Sequence, residues 1–231
     1  TTMANASTTG YGFRSVMAIG STPATQGQAE YQLFDAGGGA FNKFWKNDPV
    51  SLNDGGSVAG EAGFLQSAAY ATTDDGRAGG NSYNSAGTSP KLAGIFNGAF
   101  YVDASTSKPT WVNALNSGTD FGTDYNTGSS NGIAFVINNP NQEYQCRTGA
   151  VATTTTLTQA DFENRYNCSN QGGTGTGGQS DVRLDVDTAD AAGNMFSLVR
   201  VANEPNQTDM TDVNGGVDVI VTINPASNLY K

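Results

Sequence analysis

The apolar positions of this chain fall in short runs that are separated by turn residues. The densest run lies at 91–111 and has the sequence KLAGIFNGAFYVDASTSKPTW. Gly94 and Gly98 lie inside this run, where glycine favours a bend or a bulge over a helix. We predict a buried strand that kinks, reverses through the polar segment after it, and returns Trp111 to the same core.

Further strands are expected on both sides of this run. Ile133–Ile137 is a second apolar run, and it stops at a strong turn signal, Asn-Asn-Pro. Near the C-terminus apolar residues alternate with polar ones, as in half-buried strands. The other candidate strands are 29–34, 50–52, 142–147, 151–157, 182–186, 195–201 and 217–223. Strands at regular spacing, with Gly, Pro and Asn between them, predict a mainly β fold, an antiparallel sandwich or barrel of jelly-roll type.

Helix is expected in two short pieces. Spacings of three and four among the aromatic residues at 41–45 suit one helical turn beneath the core. Thr158 is a candidate N-cap for a short helix at 158–167, since Asp161 follows three residues later. Segments rich in Gly, Ser, Thr and Asn are expected to be loop insertions, at about 72–89, 118–131 and 170–180.

The length of 231 residues suits one large domain or two small ones. We expect a single β domain at 22–231, preceded by an N-terminal arm at 1–21. The arm has no long alternation of apolar and polar residues. It nevertheless contains four apolar or aromatic residues and one charged residue, Arg14; these candidate contact residues are Tyr11, Phe13, Arg14, Val16 and Ile19. Two interpretations remain open: an arm that docks on a neighbouring subunit or shell, or a first edge strand of the domain itself.

The charge balance argues against nucleic-acid binding. The net charge is −10, with 11 basic and 21 acidic residues, and the basic residues are scattered singly. A protein that binds DNA needs a basic footprint to displace counterions from phosphates. No run approaches the roughly 20 apolar residues of a membrane span, and the first residues lack the pattern of a signal peptide. The acidity suits a protein that must stay soluble at high local concentration.

Few residues offer catalytic or metal-binding chemistry. The chain has no His, which excludes a His-ligated metal site and a His-based triad. Carboxylates at 185–190 are spaced over a turn, but they depart from the calcium-loop pattern at its fifth, sixth and twelfth positions. Asp103 is expected to cap a turn between two strands. Cys146 and Cys168 allow either a disulfide or two partly buried thiols. We expect no enzyme, no cofactor and no metal site.

Three parts of the sequence carry a resemblance. The central order is G-I-F-x-G-x-x-Y-x-D, then a Trp, then I-A-F-V-x-x-[ND]-P ending in Tyr-Gln, and it resembles capsid decoration (cement) proteins of tailed bacteriophages that infect aquatic bacteria. The matching residues are Gly94, Ile95, Phe96, Gly98, Tyr101, Asp103, Trp111, Ile133, Ala134, Phe135, Val136, Asn139, Pro140, Tyr144 and Gln145. The segment at 11–16 is similar to a G-F-R-P-V opening, with Ser15 in place of Pro, and 47–50 is similar to a G-D-P-V step. These matches touch about half the chain.

The resemblance implies a structural virion protein on the outer capsid surface, assembled in the host cytoplasm. Its partners would be the major capsid protein and itself, as a homotrimer placed where capsid subunits meet. We further expect residues 11–19 to leave their own domain and pack on an adjacent subunit or on the shell. The alternative is an extracellular β-sandwich adhesin or carbohydrate-binding module, which shares the composition and the acidity. A major shell protein is disfavoured, because that role normally brings a long helix.

Overall fold

Strands dominate the structure. The computed structural model describes residues 10–19, 22–23, 27–32, 44–52, 65–67, 92–103, 106–115, 132–149, 156–170, 178–186, 195–205, 208–210 and 216–230. Of the described residues, 59% lie in strands and 6% in helical turns, which confirms the prediction of a mainly β protein. The expected insertions at 72–89 and 118–131, and most of the one at 170–180, lie outside the described residues, as do 151–155.

Fifteen strands run through the described ranges. They are β1 (Arg14–Ala18), β2 (Thr22–Pro23), β3 (Gln28–Gln32), β4 (Phe44–Trp45), β5 (Pro49–Leu52), β6 (Leu65–Ser67), β7 (Leu92–Val102), β8 (Pro109–Val112), β9 (Ala114–Leu115), β10 (Ile133–Ile137), β11 (Gln142–Gly149), β12 (Arg165–Asn170), β13 (Val182–Asp185), β14 (Phe196–Val201) and β15 (Asp218–Ile223). Their pairing is antiparallel apart from that of β11 with β13.

Seven strands form the first sheet, in the order β13-β12-β14-β15-β11-β1-β2. The parallel pairing of β11 with β13 joins Thr148 to Leu184 and closes five of these strands into a small barrel. Closure leaves β13 without a free edge, whereas β1 and β2 continue from β11 outside the five closed strands. Alternate side chains of β11 and β15 fill the interior, where Tyr144, Cys146 and Val221 are 0% exposed.

The second sheet has β7 at its centre. Its order is β3-β10-β7-β5-β6, and β8 pairs with β7 beyond the end of β5 on the same side. Gly94 and Gly98 have φ angles of +148° and +143°, and the register shifts opposite both parts of the strand. The predicted kink in the central strand is therefore confirmed. A second core lies on one face of this sheet, around Val50, Phe96 and Val136.

The N-terminal segment belongs to the domain. The N–H of Gly12 donates to the carbonyl of Val182 at 3.2 Å, and the N–H of Phe13 donates to the carbonyl of Asn47 at 2.9 Å. β1 then pairs with β11 along its length. The structure thus corrects the expectation that 11–19 leaves its own domain, because these backbone groups are already paired within it. Residues 1–9 of the predicted arm lie outside the described residues.

Both helix predictions are corrected. Phe44–Trp45 is a strand that pairs with Ala114–Leu115, so the local aromatic spacing is overridden by a partner distant in sequence. Near Thr158 there is only a 3-10 turn, Gln159–Asp161, and β12 begins soon afterwards at Arg165; the predicted N-cap Thr158 and its partner Asp161 are confirmed as a capping box. A second such turn is formed by Pro225–Ser227. Neither turn, nor any other helical piece of the described ranges, is long and apolar enough to cross a membrane.

Candidate interaction surfaces

Metal-ligating side chains do not cluster in the described ranges. There, no three His, Cys, Asp or Glu side chains lie together as metal ligands would. Cys146 and Cys168 are buried thiols and not a disulfide. Burial, together with the nearby Asp218, raises the pKa of the Cys146 thiol well above its ordinary value. A buried neutral thiol is a poor nucleophile. The features that face solvent are of a different kind, namely two apolar surfaces.

The first surface is the β1 strip, defined as Arg14, Val16, Met17 and Ile19. The register of β1 against β11 shifts between Ser15 and Met17, which marks a β-bulge at Val16. A bulge sets two residues of one strand opposite one residue of its partner, so Val16 and Met17 both reach solvent. They are 37% and 39% exposed, and Ile19 is 57% exposed. The bulge and the residue directly after β1 thus present three apolar side chains within one short segment.

Arg14 is held in place yet remains accessible. Its Nη2 donates to Gln145 Oε1 at 2.6 Å and lies 3.5 Å from Glu204 Oε1. Gln145 in turn donates to the same Glu204 oxygen at 3.2 Å. The guanidinium also lies 5.8 Å from the ring centroid of Tyr11. The Arg14 side chain is nevertheless 57% exposed, so a positioned cation with further N–H donors stands at one end of the strip.

Phe13 and Tyr11 fasten the strip to the barrel. Phe13 is 0% exposed and is part of the barrel core. Tyr11 lies over the guanidinium of Arg147, 5.3 Å from the ring centroid, and Arg147 pairs with Asp218. Burial first, and the charge of Asp218 second, raise the pKa of the Tyr11 phenol well above its ordinary value. Phe13 is therefore a core residue, while the contact roles of Arg14, Val16 and Ile19 stay predictions.

The second surface is the sheet platform, defined as Phe100, Val102, Trp111, Ile133 and the half-buried Phe135. Phe100 pairs with Ile133 on one side and with Trp111 on the other. Directly paired residues of antiparallel strands point to the same face of the sheet. Ile133, Phe100 and Trp111 therefore form a row across three strands, and they are 37%, 38% and 48% exposed.

Trp111 lies flat against the backbone at Gly98. A Cβ atom at position 98 would overlap the Cζ2 atom of the indole, so the close approach depends on glycine. The indole also lies 5.1 Å from the ring of Phe135 at an angle of 45°, and its Nε1 donates to Asn113 Oδ1 at 3.3 Å. The prediction that Trp111 returns to the core is wrong, because the ring covers the solvent-facing side of the sheet instead.

Polar side chains border the sheet platform. Glu30 is exposed on β3 and is paired in register with Phe135. Asn113 follows β8 at the opposite side. Between β7 and β8, Asp103 Oδ1 accepts the N–H of Thr106 at 2.8 Å, which confirms the turn-capping interpretation of Asp103. The platform is thus an apolar floor with hydrogen-bonding groups at its borders.

A signal for the sheet platform was present in the sequence. Three apolar residues follow one another at 100–102, and they must alternate between the two faces of β7. Tyr101 points to the core and is 5% exposed, so Phe100 and Val102 point the other way. A strand that is apolar on both faces requires either two-sided burial or an exposed patch. The prediction that the whole apolar run is buried did not consider an exposed patch on one face of β7.

Comparisons with known proteins leave the two surfaces as the basis for assigning a function. No family model, no curated protein and no solved structure matches this chain.

Proposed function

We propose that this chain is a non-enzymatic structural protein that decorates the outer surface of a tailed-phage capsid and bridges neighbouring major capsid protein subunits. The resemblance of its central and N-terminal segments to capsid cement proteins supports the proposal. The observation that carries it is the β1 strip, which combines exposed Val16, Met17 and Ile19 with the positioned Arg14. Met and Arg are both enriched in protein–protein interfaces, whereas Lys and Glu are depleted there.

The strip is built to transmit force. A cement protein must hold on to the shell while the packaged genome presses outwards, so its contact residues need a rigid attachment. β1 is paired with β11 on both sides of the bulge at Val16, and β11 is itself paired with β15 inside the closed barrel. Phe13, one residue before β1, is buried in the barrel core. A load on the strip is therefore shared by a hydrogen-bonded ladder and a packed aromatic ring.

The charge of the chain favours this surface as the point of contact. With a net charge of −10, most of the protein repels other acidic surfaces. The charged member of the β1 strip is Arg14, which lies 3.5 Å from Glu204 Oε1 but keeps 57% of its side chain exposed, and the other members are apolar. A shell subunit that offers a carboxylate beside an apolar groove would complement it, with Arg14 making more than one hydrogen bond to that carboxylate.

Trimerisation would multiply a weak contact. Four side chains bury too little area for tight binding by themselves, since a stable interface takes about 800 Å² from each partner. Linking identical contacts in one assembly can raise overall avidity by roughly 10²–10⁴-fold. A homotrimer at the junctions between capsid subunits, as the resemblance implies, would attach at three points.

Binding to shells tests the proposal. The purified protein is mixed with shells assembled from the major capsid protein of the same phage, and the shells are pelleted. We expect saturable co-sedimentation and, in virions, labelling by an antibody against this chain on the outer surface. Sedimentation velocity of the free protein tests the trimer, and a stable dimer would count against it.

A further inference from the structure

We propose that the sheet platform is a binding site for neutral polysaccharide, with pyranose rings stacking on Trp111 and Phe100. This inference is independent of the capsid proposal, because it uses the other sheet and none of the β1 strip. Pyranose rings present a face of C–H groups that packs on an aromatic plane, while their hydroxyls point outwards to polar partners. The sheet platform offers both an aromatic surface, from Trp111 and Phe100, and polar partners at its borders, from Glu30 and Asn113.

The indole of Trp111 is held as a rigid plate. One side rests on the Gly98 backbone, Phe135 packs against it, and Asn113 accepts its N–H. Despite these three contacts, 48% of the residue remains exposed. A ring that is already fixed loses little conformational entropy when a ligand stacks on it. An exposed tryptophan without such support would have to be ordered by the ligand.

The area of the platform fits a small ligand better than a protein. An aromatic side chain presents about 150–250 Å², so the exposed parts of the four most exposed members amount to only about 300 Å². A stable protein interface needs about 800 Å² from each side. A second copy of this chain would therefore not be held by the platform alone, whereas one or two sugar rings would cover most of it.

The layout of the platform suits a linear chain of sugars. Ile133, Phe100 and Trp111 lie on three adjacent strands, so the row is about 10 Å wide at the usual strand spacing. That width matches a disaccharide. Glu30 lies toward one end of the row and Asn113 toward the other, where the hydroxyl groups of the sugars would emerge. Binding sites for small ligands typically combine an apolar floor with a few polar groups in this way.

Charge selects neutral sugars over acidic ones. Glu30 at the border is exposed, and the protein as a whole carries a net charge of −10. An anionic polysaccharide such as alginate would be repelled by both. A neutral glucan or mannan would lose no binding free energy to charge repulsion, and its hydroxyl groups would donate hydrogen bonds to the Glu30 carboxylate.

The two tryptophans of the chain make the site directly observable. Trp45 is 3% exposed and Trp111 is 48% exposed, so a Trp45→Phe variant reports on the platform alone. Its fluorescence is measured during titration with cellohexaose, chitohexaose, mannohexaose and an alginate oligomer. We expect at least one neutral hexasaccharide to shift the Trp111 emission to shorter wavelength and the alginate oligomer to leave it unchanged.

Calorimetry with variants of the 231-residue chain locates the sugar-binding site. Trp111→Ala should weaken sugar binding about tenfold or more. Tyr230→Ala is the matched control, because Tyr230 is a similarly exposed aromatic residue, at 45%, outside the platform. The proposal is overturned if no neutral hexasaccharide binds, if the alginate oligomer binds best, or if Trp111→Ala binds as well as the wild type. A blue shift that grows with protein concentration without sugar, together with self-association, would also overturn it in favour of a second copy.

Discussion

Phe13 stacks face to face on Phe196, with ring centroids 4.0 Å apart and ring planes 8° from parallel. Phe13 precedes β1, and Phe196 is the first residue of β14 on the barrel wall. Both are 0% exposed. This contact makes the N-terminal segment part of the barrel, although the segment also carries the exposed β1 strip. A surface proposed to bind the shell is therefore built directly on a core residue.

Replacing Phe13 with Ala should destabilise the domain by about 3–5 kcal/mol, because the substitution removes a large buried ring and leaves a cavity. Removing residues 1–16 should unfold the domain for the same reason. Urea denaturation followed by circular dichroism measures both effects. Met17→Ala is the control, since an exposed position should change stability by about 0.5 kcal/mol or less. A deletion variant that keeps the wild-type melting temperature would contradict the assignment of Phe13 to the core.

Gly94 and Gly98 should respond differently to substitution, although both have positive φ angles. A Cβ at position 94 would overlap the backbone carbonyl of Ile137, which cannot move without breaking the sheet. A Cβ at position 98 would meet the Trp111 indole, which can swing away. Backbone strain alone costs about 1–3 kcal/mol at each site, so Gly94→Ala should be the more destabilising change.

Thermal unfolding of the two glycine variants, combined with Trp111 emission, checks that order. Gly98→Ala should shift the emission of Trp111 toward that of a solvated indole, whereas Gly94→Ala should leave it unchanged under native conditions. Equal destabilisation by the two variants, with no change in emission for Gly98→Ala, would mean that the indole does not rest on Gly98.

Asp161 should make the 3-10 turn sensitive to acid. Burial alone would raise the pKa of Asp161, but hydrogen bonds from the Thr158 hydroxyl, the Thr158 N–H and the Tyr166 hydroxyl outweigh it and lower the pKa below its ordinary value. A pKa that is lower in the folded state means that the carboxylate stabilises the fold above the unfolded pKa of about 3.9. That stabilisation is lost as the pH falls through the folded value.

Comparing Asp161→Asn with the wild type isolates this contribution. At neutral pH the variant should be less stable by about 0.5–1 kcal/mol, a small value because the turn is exposed to solvent. The difference between the two proteins should shrink as the pH is lowered from about 5 to about 2. Urea midpoints across this range give the measurement, and a difference that stays constant would show that the carboxylate charge has no part in it.

The ion pair of Arg147 with Asp218 should be costly to break. Arg147 Nε lies 2.8 Å from Asp218 Oδ1, and the two side chains are 8% and 6% exposed. Asp218→Ala leaves a buried guanidinium without its carboxylate, which should destabilise the domain by about 3–5 kcal/mol. The double variant Arg147→Met/Asp218→Leu should be more stable than Asp218→Ala, because it leaves neither charge of this pair buried without its partner.

The partly exposed pair of Arg200 with Glu143 provides the comparison for that experiment. Arg200 Nη2 lies 2.7 Å from Glu143 Oε2, but the Arg200 side chain is 46% exposed. The Glu143 side chain is only 11% exposed, but water can reach it where Arg200 is removed, so Arg200→Met should cost about 1–3 kcal/mol, less than Asp218→Ala. If Arg200→Met proved as damaging as Asp218→Ala in urea denaturation, burial would not be what makes the Arg147 pair important.

Local patterns were sufficient to predict most strands. Ile133–Ile137 is the strand expected from its apolar run, and β13, β14 and β15 begin within a residue of their expected positions. Glycines in a long apolar run indicated the kink of β7, since their φ angles are open to few other residues. These features depend on neighbours in sequence, which a pattern along the chain can show.

Features that depend on distant partners were not predictable in the same way. Phe44–Trp45 forms a strand because Ala114–Leu115 pairs with it, and nothing within the aromatic segment reveals that partner. The parallel pairing of Thr148 with Leu184 closes the barrel, although the two residues are far apart in the sequence. The outward direction of Trp111 was not predicted, because it is decided by the space above Gly98 on a neighbouring strand.

Shell binding by a variant of the β1 strip shows whether this surface attaches the protein to the capsid. Val16→Asp/Ile19→Asp changes two exposed residues, so it should keep the wild-type melting temperature. Val102→Asp/Ile133→Asp on the sheet platform is the matched control, with two exposed apolar residues changed in the same way. Wild type and control should co-sediment with shells of the major capsid protein, and the strip variant should remain in the supernatant. Failure of the wild type to bind, or equal binding by the strip variant, would mean that the β1 strip does not attach this protein to the shell.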